Sequence, residues 1–135
     1  MRFVVDASVA VEFLLRTPLG QEVATTIDAA ALFAPELLDA EVMAVLRRHV
    51  LGGRLDESRA REAIDDLRDW DVDRIRHREL VVRAWGYRHD ASAYDALYLA
   101  AADLRGATML TADGPLSRSP LAGVVVHNVS AGRAD

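Results

Sequence analysis

Met1-Arg2-Phe3-Val4-Val5-Asp6-Ala7-Ser8-Val9-Ala10-Val11-Glu12-Phe13-Leu14-Leu15 decides the fold. Residues 1–5 form a short apolar run that reads as a buried strand. From Ala7 to Leu15 the apolar spacing turns helical, and it stops at Thr17-Pro18-Leu19-Gly20. A strand that feeds straight into a helix, with one acid at the junction, is the signature of an α/β unit.

The same alternation continues outward. Residues 21–31 read as helix and Leu32-Phe33-Ala34 as a very short strand, while Pro35 suits the first turn of a helix that ends at Gly52-Gly53. Asp56 caps a helix expected to run to Trp70, Val72 to Ile75 is a candidate strand, and residues 78–88 form another helix. Ser92-Ala93-Tyr94-Asp95 has capping-box spacing and opens a helix that stops at Gly106. Ala107 to Thr111 and Val124 to His127 complete the strands. Helices alternating with short apolar strands imply a parallel sheet covered on both faces. No repeat or linker breaks the chain, so residues 1–129 are expected to form one domain, with 130–135 a frayed tail.

Composition narrows the chemistry. At 135 residues, 51% of them apolar, the chain fits a single core. The absence of cysteine removes disulfides, zinc thiolates and thiol nucleophiles, and suits a reducing cytoplasm. No charged leader followed by an apolar segment and no membrane-spanning run is visible, so a soluble cytoplasmic protein with no membrane partner is expected. A net charge of −5 argues against indiscriminate binding to nucleic acid. All sixteen basic residues are arginine, and Arg47, Arg48, Arg54 and Arg118 are candidates for a local RNA-binding surface, with a solvated face as the alternative.

Four acids occupy places where charge is least expected. Asp6 and Asp113 each follow a strand, beyond whose carboxyl ends ligands gather in open parallel sheets. Asp6 equally serves as a helix cap, and Asp113 in Asp113-Gly114-Pro115 equally serves a turn. Glu41 falls among Leu37, Leu38, Val42 and Val45 on the inward arc of its helix, where a lone carboxylate is costly; a metal ligand is the favoured reading. Asp95 suits the first turn of its helix, yet Tyr98, Leu99 and Ala102 turn that edge inward. Asp90 reads as a loop or helix-entry residue, Asp39 and Asp103 face away from the apolar arcs, and all three read as surface. Like charges about 4 Å apart repel by about 4 kcal/mol at an effective dielectric of 20. No lysine is present to relieve that cost, and hard oxygen donors point to Mg²⁺, with Mn²⁺ as a substitute. The four histidines show no paired ligand spacing, and phosphate-loop and serine-elbow motifs are absent.

Val4-Val5-Asp6-Ala7-Ser8, Pro35-Glu36-Leu37-Leu38-Asp39-Ala40-Glu41-Val42, Tyr94-Asp95-Ala96-Leu97-Tyr98-Leu99-Ala100 and Leu110-Thr111-Ala112-Asp113 together resemble the PIN-domain nucleases, and within them the VapC-type toxins of toxin-antitoxin pairs. The resemblance implies a three-layer α/β/α fold with a five-stranded parallel sheet and an acidic pocket of Asp6, Glu41, Asp95 and Asp113 acting as metal ligands and catalytic groups. It implies Ser8 as a supporting hydroxyl, RNA as the substrate of a Mg²⁺-dependent endoribonuclease, and a VapB-type antitoxin as partner. The apolar segments Val9 to Leu15 and Ala24 to Leu32 could supply a groove for an antitoxin helix or a homodimer face, although core packing accounts for them equally.

Two rival classes share parts of this pattern. A signalling receiver domain also gathers aspartates around Mg²⁺ but uses a lysine, and a dehalogenase-type phosphatase needs a second aspartate where Ser8 stands. A non-catalytic PIN-fold scaffold for RNA or protein would keep the architecture without requiring the acids.

Overall fold

The computed structural model describes residues 1–112 and 124–130. Three strands of four or five residues and two of three build the sheet: β1 (Arg2–Val5), β2 (Ala31–Pro35), β3 (Asp73–Ile75), β4 (Thr108–Thr111) and β5 (Val126–Asn128). They pair in the order β3-β2-β1-β4-β5, every pair parallel, with Phe3 opposite Leu32 on one side and opposite Thr108 on the other. The five-stranded parallel sheet expected from sequence is therefore present. Val4, Val5, Met109 and Leu110 are fully buried, which puts the densest packing along β1 and β4.

The chain moves outward from β1 to β2 to β3, then returns across the sheet to β4. Right-handed crossovers place helices passed in one direction on one face and those of the return on the other. The first group is α1 (Ala7–Leu14), α2 (Pro18–Ile27), α3 (Leu37–Leu51) and α4 (Glu57–Asp69), where α1 packs on α2, α3 and α4. The return carries a single 3-10 turn at His77–Glu79, then α5 (Val81–Trp85) and α6 (Ala93–Arg105); α6 lies on β1, β2 and β4. Strand order reverses between β1 and β4, so the carboxyl ends of these two strands flank the switch point.

Three local expectations change. Thr17 and Pro18 start a helix: Thr17 Oγ1 accepts from Gly20 N–H and Pro18 occupies the first helical position, so α2 begins three residues before the expected 21. Pro35 ends β2 instead of opening a helix; α3 begins at Leu37. The helix expected over 78–88 is divided into the 3-10 turn at 77–79 and the five residues of α5, which meet at Leu80. Asp56, Ser92 and Gly106 act as expected, the last ending α6 in the left-handed region at φ +59°. Asp113 and Arg118 lie outside the described residues, as does the tail from 131 onward.

Candidate functional site

Asp6 takes its place from β1. The strand ends at Val5, and Asp6 caps α1 in extended conformation, its Oδ1 accepting from Val9 N–H at 3.1 Å. The carboxylate is 7% exposed, one of only two polar or charged residues among the described ones that are buried. Ser8 fixes it further: its hydroxyl donates to Asp6 Oδ1 at 2.6 Å and accepts from Ala112 N–H at 2.9 Å. One hydroxyl thus ties the end of β1, the first turn of α1 and the exit of β4 into a single knot. Asp6, not Ser8, is the cap of α1, and Ser8 bonds to the capping carboxylate.

Glu41 sits in the second turn of α3, half-buried. Leu38, Val42 and Leu46 form the buried stripe, and Glu41 lies on its margin with Leu37 and Val45. The expectation of a core-facing carboxylate is corrected to that extent: at the stripe's edge the side chain reaches the end of the sheet. There Glu41 Oε1 accepts a 2.7 Å hydrogen bond from the Tyr98 hydroxyl. Tyr98 comes from α6 on the opposite face and is 2% exposed. Its hydroxyl holds its proton far above the ordinary tyrosine range, chiefly because it is buried, then through the bond to Glu41, the charge of Glu41, and the charges of Asp6 and Asp39. Glu41 alone bonds to the phenol, while Asp6 and Asp39 act on it only through their charge.

Asp95 stands one turn before Tyr98 on α6, half-buried, with its N–H donating to Ser92 Oγ at 3.1 Å. Spacing of three puts Asp95 and Tyr98 on one helix face. The amino ends of α1, α3 and α6 all lie at the carboxyl edge of the sheet, and their partial positive charge offsets some of the repulsion among Asp6, Glu41 and Asp95.

Other residues that shape the site had no local signature. Asp39, expected at the surface, is half-buried and paired with Arg74 at 3.0 Å. Arg74 also donates to the carbonyls of Leu67, Trp70 and Val72, so one guanidinium closes the end of α4 and holds the start of α3. Glu36, at the cap position of α3, makes no capping bond; His77 Nε2 accepts from Leu37 N–H at 2.9 Å in its stead. The one available signal was negative: an inward Glu41 demands a donor, and Tyr98 is the polar group facing inward from a neighbouring acid motif.

Among the described residues, Arg47, Arg48 and Arg54 do not gather at the acids. Arg47 and Arg48 are exposed on α3 six and seven residues beyond Glu41, roughly 10 Å along the axis. Arg54 folds back there, donating to His49 Nδ1 and Arg48 O. A cavity of about 560 Å³ opens elsewhere, between α1, α2 and α4, lined by Phe13, Gly20, Gln21, Ala24 and Trp70, with the Phe13 and Trp70 rings stacked at 4.7 Å. Val9, Ala10, Val11, Leu14, Val23 and Ile27 of the same helices are buried in the core. Core packing accounts for these six residues, while Phe13 and Ala24 line the cavity.

The donors at the carboxyl edge are carboxylate and hydroxyl oxygens, with no lysine in the chain to compete, and this chemistry fits Mg²⁺ or Mn²⁺. Among the described residues no three histidine, aspartate or glutamate side chains stand together as a ready metal site. Asp6 and Glu41 follow β1 and β2, neighbouring strands of the sheet, at its carboxyl edge.

The geometry can be compared with known proteins. The family model described as PIN domain matches residues 3–120. Ribonuclease VapC1 of Mycobacterium tuberculosis is 42% identical over 88 residues, covering 64% of this chain and 66% of that protein, so the chain spans just under two thirds of its length. Ribonuclease VapC3 of the same organism is 35% identical over 117 residues, covering 86% of this chain and 85% of its own. The structure of VapBC2 from Rickettsia felis bound to a promoter DNA fragment superposes with a TM-score of 0.61 at 12% identity, covering 94% of this chain and 98% of that one, a likeness of fold alone. Membership sets aside the receiver and phosphatase readings. By sequence match and by sheet order, this chain belongs to the PIN-domain family, in its VapC-type branch.

Proposed function

We infer that the chain is a metal-dependent endoribonuclease that serves as the toxin of a toxin-antitoxin pair. The observation that carries this reading is the buried Asp6 carboxylate at the end of β1 beside the switch point, together with Glu41 at the start of α3 held by the Tyr98 hydroxyl. A sheet-covered scaffold needs no buried acids there, and each one costs stability unless it is used.

Asp6, Glu41 and Asp95 would hold Mg²⁺, with Asp113 the fourth acid expected from the sequence. When bound, the cation supplies a nucleophilic water near neutral pH and neutralises charge on the phosphate. The protein's part is orientation. Ser8 and Val9 N–H keep the Asp6 carboxylate in one rotamer, and Tyr98 keeps one oxygen of Glu41 engaged. A carboxylate of the set accepts the proton lost by the attacking water, and the departing RNA oxygen is protonated from solvent. Arg47, Arg48 and Arg54, at the far end of α3, contact substrate at a distance from the cut, by phosphate pairing that fixes register.

The relatives are ribonucleases by name, which supports RNA as substrate, and the likeness to VapBC2 supports a VapB-type partner. We place a helix of a VapB-type antitoxin in the groove of Phe13, Ala24 and Trp70, and a second copy of the chain on exposed Val82 and Trp85 of α5. Among the described residues no helix is long and apolar enough to cross a membrane.

Purified, antitoxin-free protein incubated with total cellular RNA tests the assignment, with Mg²⁺, with EDTA, and with Asp6→Asn. Discrete fragments are expected only for wild type with Mg²⁺. Asparagine still caps a helix, so the variant keeps its fold. Cleavage that survives EDTA would refute the metal mechanism, and a folded wild type that cuts nothing would return the chain to the non-catalytic scaffold.

A further inference from the structure

We propose that Tyr98 is a positioning residue for the metal-holding carboxylate of Glu41, acting across the sheet edge from the opposite helical layer. The proposal rests on the metal-dependent reading above. Its basis is geometric: the Tyr98 hydroxyl donates to Glu41 Oε1 at 2.7 Å, the ring is 2% exposed, and the two residues are 57 positions apart in sequence.

An ionised carboxylate only accepts hydrogen bonds, so the phenol must be the donor. A half-buried glutamate on the margin of α3 has three rotatable side-chain bonds, and holding it in one orientation costs entropy that a fixed donor recovers. Tyr98 is suited to that task because its ring has no freedom of its own. Leu99, Ala100, Ala101 and Ala102, which follow it on α6, are all buried to within 1% of complete exclusion, so the helix that carries the ring is wedged against β1, β2 and β4. Engaging Oε1 leaves Oε2 as the oxygen the phenol does not occupy.

Asp39, two residues before Glu41, is the acid that could compete for the same phenol or the same cation. Arg74 binds its Oδ1 at 3.0 Å and is itself held by three backbone carbonyls. The pairing assigns Asp39 to structure and leaves Glu41 for the site. Asp95, one turn from Tyr98 on the same face of α6, ties the phenol's placement to a second acid of the set. A single rigid helix therefore presents one carboxylate directly and orients another through a hydroxyl.

Tyr98→Phe removes only the oxygen. Outer partners of metal ligands typically change affinity by about 10- to 100-fold when removed. The variant is therefore expected to bind Mn²⁺ about 10-fold more weakly, measured by paramagnetic titration without RNA. Cleavage should recover as Mg²⁺ is raised, with KM for RNA unchanged. Glu41→Gln supplies the second leg: adding Tyr98→Phe to it should weaken Mn²⁺ binding no further, whereas a purely structural tyrosine would subtract equally from both backgrounds. Circular dichroism checks that the single and double variants are folded, and Tyr98→Trp is excluded as a control because it adds volume. Equal Mn²⁺ affinity in wild type and Tyr98→Phe would overturn the positioning role alone. Failure of wild type itself to bind Mn²⁺ would overturn the metal reading and this role with it.

Discussion

The pattern Asp-x-Ser occurs twice as a helix cap, and the two copies should respond very differently to loss of the serine hydroxyl. In Asp6-Ala7-Ser8 the hydroxyl donates to a buried carboxylate and accepts from the amide of Ala112. In Asp56-Glu57-Ser58 the hydroxyl also donates to the cap carboxylate, but both residues are exposed. Ser8→Ala removes a hydrogen bond to a charged group, worth about 1.5–3 kcal/mol, and strips the Ala112 amide of its partner, at about 1–3 kcal/mol if water does not replace it. Partial access of water at this half-buried position lowers the sum, to about 2–4 kcal/mol. For a chain of this size that corresponds to a melting temperature lower by roughly 10 °C. Ser58→Ala removes an equally local bond where water substitutes at once, and no measurable shift is expected. Urea and thermal unfolding of both variants, in EDTA so that no cation contributes to stability, provide the comparison. Ser8→Thr, which keeps the hydroxyl, should recover most of the loss if its methyl is accommodated. Equal stability of Ser8→Ala and Ser58→Ala would refute the claim that Ser8 is a structural knot, and with it the reason for its placement beside Asp6.

Gly20→Ala should destabilise the fold even though alanine is the better helix former by about 1 kcal/mol: a Cβ there would stand 1.9 Å from Glu12 O, a backbone atom that no rotamer can move. A net loss of about 2 kcal/mol is expected from forcing α1 and α2 apart, and a variant that melts at or above wild type would show that the helices can slide. Stability should fall above about pH 10. Burial, then the bond and charge of Glu41, keep the Tyr98 proton on the folded chain while the unfolded chain loses it, so the full contribution is present below pH 10 and declines by about 1.4 kcal/mol per pH unit beyond it. Tyr87, raised mainly by burial, adds a smaller effect of the same sign. Urea unfolding at pH 9 and pH 11 should therefore show a shallower alkaline decline in Tyr98→Phe than in wild type, and identical declines would refute the assignment.

Much of the fold was legible because its signals are local. The apolar run before Asp6, the serine at 92 and the glycine at 106 each act within one turn of their own position, and each behaves as its chemistry dictates. Proline was the exception. Pro18 and Pro35 both satisfy the rule for a first helical position, yet only Pro18 obeys it, because Pro35 pairs with Ile75 at the end of β2 and the chain turns two residues later. The choice between them is made by strand pairing, which no window of sequence contains. The site divides in the same way. Asp6, Glu41 and Asp95 are visible as misplaced charges, whereas the groups that hold the site together are reached only across the fold: Arg74 on Asp39, His77 on Leu37, Tyr98 on Glu41. A helical wheel marks Tyr98 as inward without saying what its hydroxyl meets.

The acids are not anchored equally. Asp6 continues a central strand flanked on both sides, so it can be displaced only by opening the pairing of β1 with β2 and β4, the part of the molecule whose amides should exchange last with solvent. Glu41 and Asp95 depend on the first two turns of α3 and the first turn of α6, and helix ends open at far lower free energy than a central ladder. Local opening of those turns would separate the acids while the sheet stays intact, so the site can be taken apart and rebuilt without unfolding the protein around it.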